Sequence, residues 1–113
     1  MTLGPEHRLA TYGSLAPGRI NHHEMNGMTG QWRTGIVHGL LVKMGWGADL
    51  GYPAIILDEA GEAVEVFIFE SADLPDHWAR LDAFEGDQYT RKVTEAQTDT
   101  GPVPVSIYAL NEI

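Results

Sequence analysis

Hydrophobic and polar positions along the chain fall into short stretches that glycine and proline interrupt, and this punctuation outlines the elements. His7 to Tyr12, with Leu9 and Tyr12 among small or polar neighbours, predicts a first short strand ending at Gly13. Gly13 to Gly18 then reads as a turn or loop. Ile20 to Gly30 has few apolar positions, with Met25 and Met28 three apart, and predicts a short helix or a loop. The residues Ile36, Val37, Leu40, Leu41 and Val42 make Thr34 to Met44 a long strand, broken or bulged at Gly39. Gly45, Gly47 and Gly51 mark a turn. Tyr52 to Leu57 is a buried-strand pattern, and Asp58 to Gly61 turns it into the alternating run Ala63 to Phe69, which together predict a hairpin.

The helical period takes over after Ser71, a capping residue, with Asp73 and Asp76 suited to a first turn and Pro75 tolerated there. Leu74, Trp78 and Leu81 fall at i, i+4 and i+7, and Gly86 is placed to end the helix. Tyr89 to Ala96 and Val103 to Leu110 predict two further strands around the turn residues Thr98 to Pro102. About six strands and one helix, mostly in antiparallel order, predict an α+β fold: a small, mostly antiparallel β-barrel or sheet with the helix packed against it.

One carboxylate breaks this pattern. Glu85 lies about 20° from Leu74 on a helical wheel, in the middle of the apolar stripe and in the last turn. Burial and the negative end of the helix dipole both raise its pKa, from about 4.3 toward the ~6–7 range of a neutral-pH general acid/base. The other reading of Glu85 is a frayed last turn that swings into water. Tyr12-Gly13-Ser14-Leu15 carries a second signal, because a strand ending at a glycine turn can aim backbone N–H groups at a carboxylate or an oxyanion. An ordinary polar turn, with Ser14 satisfying its own backbone, accounts for the same residues.

Composition narrows the chemistry. A chain of 113 residues predicts one domain, 1–113, with a core large enough to need no staple. The absence of cysteine excludes disulfides, thiolate metal sites and thiol nucleophiles. A net charge of −9 disfavours nucleic-acid and anionic-membrane partners. That charge is uneven, +2 over residues 1–45 and −11 over the rest, so the candidate anion-holding loop sits in the positive segment. The N-terminus has no targeting pattern, so a cytoplasmic location is expected. His22-His23 with Glu24 is a poor metal set, since adjacent residues rarely converge on one ion, and Ser14 has no triad partner at a supporting spacing. Trp32, Trp46 and Trp78 read as core or rim.

Tyr12-Gly13-Ser14-Leu15, followed by Pro17-Gly18 and Asn21-His22, then Tyr52-Pro53-Ala54, then Leu81-Asp82-Ala83-Phe84-Glu85-Gly86 with Tyr89 and Arg91, and finally Tyr108, resemble the γ-glutamylcyclotransferase-like superfamily. The nearer likeness is to its γ-glutamylamine cyclotransferase/AIG2-like branch, and it runs from about Leu9 to Ala109. The resemblance implies a small β-barrel flanked by helices with a cavity at one end. It makes Glu85 the catalytic acid/base and Tyr12, Gly13, Ser14 and Leu15 the substrate-binding loop. Tyr89 and Tyr108 are assigned to the same pocket, against the alternative that they pack the barrel. Val64-Glu65-Val66-Phe67 departs from the Gly-Glu-Val of many relatives, and the valine at the glycine position narrows the cavity. The activity implied is a cyclotransferase of the acyltransferase class: a γ-glutamyl amine or amino acid is converted to 5-oxoproline and a free amine. It calls for no metal or cofactor, and the partner it implies is a small-molecule γ-glutamyl substrate. The competing reading is a non-catalytic small-metabolite-binding domain of the same fold.

Overall fold

The computed structural model describes residues 4–13, 15, 17–19, 22–43 and 54–111. Its strands are β1 (Arg8–Thr11), β2 (Gln31–Val42), β3 (Ala54–Leu57), β4 (Glu62–Glu70), β5 (Tyr89–Thr98) and β6 (Gly101–Leu110), with one α-helix, α1 (Trp78–Glu85). Short 3-10 turns cover Pro5–His7, His22–Met25 and Leu74–Asp76. The sheet order is β3-β2-β4-β1-β6-β5, and β5 returns to β2 where Ile36 faces Gln97. Five strands therefore close a barrel, and β3 extends it along one edge of β2. All pairs are antiparallel except β1 with β6, so the α+β barrel expected from the strand pattern is the fold observed.

Two cores explain the hydrophobic pattern. Inside the barrel, Val64, Val66 and Ile68 of β4 meet Val37, Ile55, Ala96, Val105, Ile107 and Ala109. Their neighbours Glu65 and Phe67 face outward, which gives β4 its period of two. Outside the barrel wall, Leu9, Phe69 and Tyr108 pack with Leu74, Trp78 and Leu81, so α1 and the turn before it cover this face. Val105 to Leu110 is buried throughout, because β6 has the barrel core on one face and the helix on the other. At the end where β1 begins, Glu70 holds both Arg8 (2.9 Å) and Arg33 (3.4 Å), tying three strands together. Among the described residues no helix is long and apolar enough to cross a membrane.

Two expectations about strand order are corrected. β2 is neither broken nor bulged at Gly39: its register against β4 runs evenly from Gln31 opposite Glu70 to Gly39 opposite Glu62. Nor do β3 and β4 form a hairpin, since both pair with β2, on opposite edges, and Gly39 faces Leu57 on one side and Glu62 on the other. The connection between them steps across β2. The Asp58 N–H donates to the His38 carbonyl at 3.2 Å, and Gly61 rests directly on the Gly39 backbone. A Cβ on Gly61 would lie 2.9 Å from Gly39 main-chain atoms, so the step requires glycine. The local turn chemistry, with the Ala60 N–H on the Asp58 carboxylate at 2.9 Å, is the same for a hairpin and for this crossing.

The helix is also shorter than its sequence signals predict. Ser71 does not cap the helix: its Oγ accepts the Asp73 N–H at 3.0 Å in a local turn, and the turn that follows is 3-10, starts after Asp73 and contains Pro75. The α-helix starts at Trp78, so Asp73 and Asp76 are not in its first turn. Leu74, Trp78 and Leu81 are buried as the period required. The stretches 44–53 and the positions Ser14 and Asn21 lie outside the described residues, and with them the expectations for Trp46, Tyr52 and Pro53.

Candidate functional site

Glu85 is the last residue of α1, and Gly86 takes the chain off the helix at φ 83°, a conformation that favours glycine. The helical stripe carries Glu85 round to the buried side, where it is partly covered. Withdrawal of its carboxyl from water pushes its pKa from 4.5 up to about 7. Its charge reaches two tyrosines. Burial pushes the Tyr12 hydroxyl well above its ordinary value; the hydrogen bond from Ile55 opposes this, and Glu85 and Tyr89 add to it. Tyr108 is raised by burial first, then by Asp82, with a further contribution from Glu85. The Glu85 charge thus acts on Tyr12 and on Tyr108, and Tyr89 acts on Tyr12.

The hydroxyl of Tyr12 closes this end of the barrel. It accepts the Ile55 N–H of β3 at 3.0 Å and donates to the Tyr108 carbonyl of β6 at 2.8 Å, joining two strands that share no ladder. Tyr12→Phe deletes both bonds and leaves the main-chain groups of two buried residues without this partner. A loss of about 1–3 kcal/mol is expected, seen as a lower urea midpoint. An unchanged midpoint would contradict the clasp.

The Tyr108 ring lies on the other side of the sheet. Its hydroxyl donates to Asp82 Oδ1 at 2.6 Å, and Arg91 forks onto the same carboxylate, Nε to Oδ1 at 2.9 Å and Nη2 to Oδ2 at 3.3 Å. The desolvation of Asp82 raises its pKa and these bonds outweigh it, so the net shift is downward. The Arg91 guanidinium also lies 4.3 Å from the centre of the Trp78 ring.

The loop after β1 is held by its hydrophobic residue. Leu15 is 3% exposed and packs in the outer core, while its carbonyl accepts Nδ1–H of His22 at 3.0 Å. The His22 ring in turn sits 5.6 Å from that of Trp32. Gly13 follows Tyr12 directly, and Tyr89 opens β5 opposite Leu110, partly buried against the outer core. Val64, the departure noted in the sequence, is buried in the barrel core. Sequence reasoning missed the partnership of Asp82, Arg91 and Tyr108, because it depends on the cross-strand register that sets Arg91 opposite Tyr108. It also gave His22 no part in the loop. Two grooves on the barrel wall lie apart from these residues. One, of about 490 Å³, includes Ile36, Glu65, Phe67 and Asp99, and the other, of about 610 Å³, includes His38, Asp58, Glu59 and Glu95.

The fold recurs in solved structures. An AIG2-like protein from Mus musculus is 23% identical with a TM-score of 0.73, covering 91% of this chain and 76% of that one. YkqA from Bacillus subtilis is 24% identical with a TM-score of 0.71 over 93% of this chain, which spans only 36% of YkqA. Kluyveromyces lactis allophanate hydrolase contains the same fold in 17% of its length, at 14% identity and a TM-score of 0.64. These identities carry the fold alone. No curated protein matches the chain at a significant level. A family model does: gamma-glutamyl cyclotransferase, AIG2-like, matches residues 9–113. A match that starts in β1 and takes in the Tyr12 loop, α1 and every later strand makes this chain a member of the AIG2-like gamma-glutamyl cyclotransferase family.

Proposed function

We propose that the protein is a cyclotransferase acting on a γ-glutamyl amine or γ-glutamyl amino acid, releasing the amine and leaving 5-oxoproline, with Glu85 as the acid/base. The observation that carries this reading is the Glu85 carboxyl, desolvated at a helix end, raised to about 7 and close enough for its charge to be felt by Tyr12 and Tyr108. A peptide α-ammonium has a pKa of about 8 and one beside a free carboxylate is less acidic, so a Glu85 raised to about 7 narrows the proton-transfer gap that an ordinary carboxylate would leave.

The reaction needs no external nucleophile. Glu85 takes a proton from the substrate's α-ammonium, and the freed amine attacks the γ-carbonyl to form a tetrahedral centre. The bond from that carbon to the departing nitrogen then breaks as Glu85 gives its proton to the leaving amine. The ring nitrogen passes its remaining extra proton to the re-ionised Glu85, which hands it to the released amine. Ring closure is intramolecular, so the protein's work is to fold the substrate and move two protons from the attacking to the departing nitrogen. We assign the backbone N–H groups of the Gly13–Leu15 loop to the substrate carboxylate or the developing oxyanion, the latter role being worth about 3–4 kcal/mol of transition-state stabilisation in comparable sites. His22 supports that assignment by bracing the loop at the Leu15 carbonyl.

A panel of γ-glutamyl amines, γ-glutamyl dipeptides and glutathione, read out by 5-oxoproline, tests the proposal. At least one member is expected to yield 5-oxoproline and free amine in equal amounts. Thermal stabilisation by a γ-glutamyl compound without product would favour the non-catalytic binding domain instead.

A further inference from the structure

We propose that Asp82 is a positioning residue for Glu85: clamped by Tyr108 and Arg91, it fixes the last turn of α1 on the barrel and so sets where the Glu85 carboxyl points. The inference rests on the reading of Glu85 as the acid/base.

α1 has only eight residues and no side-chain cap at its N-terminus, too short to hold its own geometry. Trp78 and Leu81 seat its first part in the outer core. In the last turn the barrel holds Asp82 from two strands. Tyr108 of β6 donates at 2.6 Å and Arg91 of β5 donates twice, at 2.9 and 3.3 Å, while the Asp82 carbonyl accepts the Gly86 N–H at 3.0 Å. Arg91 is itself fixed on the Trp78 ring, whose indole N–H donates to the Glu6 carbonyl at 3.0 Å and whose plane meets Tyr108 edge-on. The clamp continues to the far strand, since the Tyr108 carbonyl takes the Tyr12 hydroxyl that also holds Ile55.

The side chain of Asp82 is 45% exposed and that of Arg91 31%, so as an ion pair they add little to stability. A planar fork plus a tyrosine hydroxyl is, however, a precise orienting device. Arg91 also neutralises the carboxylate that stands three residues before Glu85. Tyr12 after β1 and Tyr108 of β6 feel the Glu85 charge, Tyr89 acts on Tyr12, and Asp82 of α1 faces Arg91 of β5 and Tyr108.

The test compares Asp82→Asn, Arg91→Met and Tyr108→Phe with the unmodified protein by three readouts. These are kcat and KM for 5-oxoproline formation, the titration of the Glu85 carboxyl followed by ¹³C NMR, and Tm. Misplacing a reacting group by about 1 Å costs up to roughly 100-fold, so kcat is expected to fall about 10- to 100-fold with KM little changed. The Glu85 midpoint is expected to drop from about 7 toward the ordinary 4.5 as the carboxyl gains water. A fall in Tm with kcat and the Glu85 midpoint unchanged in all three variants would overturn the proposal and leave Asp82 a structural tie. If the unmodified protein forms no 5-oxoproline, the cyclotransferase reading falls, and the Glu85 titration alone decides for or against the clamp.

Discussion

Glu85→Gln is expected to lower turnover by about 10²- to 10⁴-fold and, in the same protein, to raise stability above pH 7. The first effect follows from removing the proton acceptor while keeping the side chain's shape. The second follows from linkage. The Glu85 pKa is 4.5 in the unfolded chain and about 7 in the fold, so between these values the folded state binds the extra proton. Stability therefore falls as pH rises through that window, and above pH 7 the fold carries a desolvated charge that water would otherwise solvate. Glutamine removes that cost, a gain of roughly 2–3 kcal/mol at pH 8 that vanishes below pH 4.5. Urea unfolding of both proteins at pH 4 and pH 8 checks this. Equal stability at pH 8 would mean that the carboxyl is hydrated after all, the frayed-turn reading of the sequence. A side chain that costs stability and carries activity is the usual signature of a functional position.

Gly39→Ala is the second large effect, and it acts on the fold alone. The added Cβ would lie 2.6 Å from the Ile56 carbonyl oxygen and 2.9 Å from Ile55 Cγ1. The first of these is main chain and cannot turn aside, so β3 must shift relative to Gly39 of β2. A loss of about 3 kcal/mol is expected, with Tm lower by roughly 12–24 °C. Because Ile55 carries the N–H that bonds Tyr12, the damage reaches the site end of the barrel as well. An alanine variant with unchanged Tm would contradict the close approach of Ile55 and Ile56 to Gly39.

What could be read in the sequence depended on range. Glu85 is legible from the 3.6-residue period because Trp78 and Leu81, which bury the stripe, share its eight-residue helix, whereas Leu74 joins the same core from the 3-10 turn before it. β4 was legible because its two faces meet different surroundings within one strand. The split of β3 and β4 to opposite edges of β2 was not, since Asp58 to Gly61 forms an ordinary turn and only the contact of Gly61 with Gly39, a distant residue in the chain, distinguishes crossing from hairpin. The clamp on Asp82 was invisible for a related reason. Asp82, Arg91 and Tyr108 all stand in or near the motifs that carry the family resemblance, yet nothing in their spacing tells that Arg91 and Tyr108 are cross-strand neighbours. Tyr12 illustrates a third case: the motif named it for substrate binding, and the fold commits its hydroxyl to Ile55 and Tyr108.

The most direct test of the central claim is the pH dependence of 5-oxoproline formation, kcat/KM measured from pH 5 to 9 for the unmodified protein beside Glu85→Gln. The account predicts an acidic limb that rises with a midpoint at about 7, where Glu85 ionises, and its collapse in the glutamine variant. A limb that is unchanged in the variant, or a variant that forms 5-oxoproline at the unmodified rate, would contradict it.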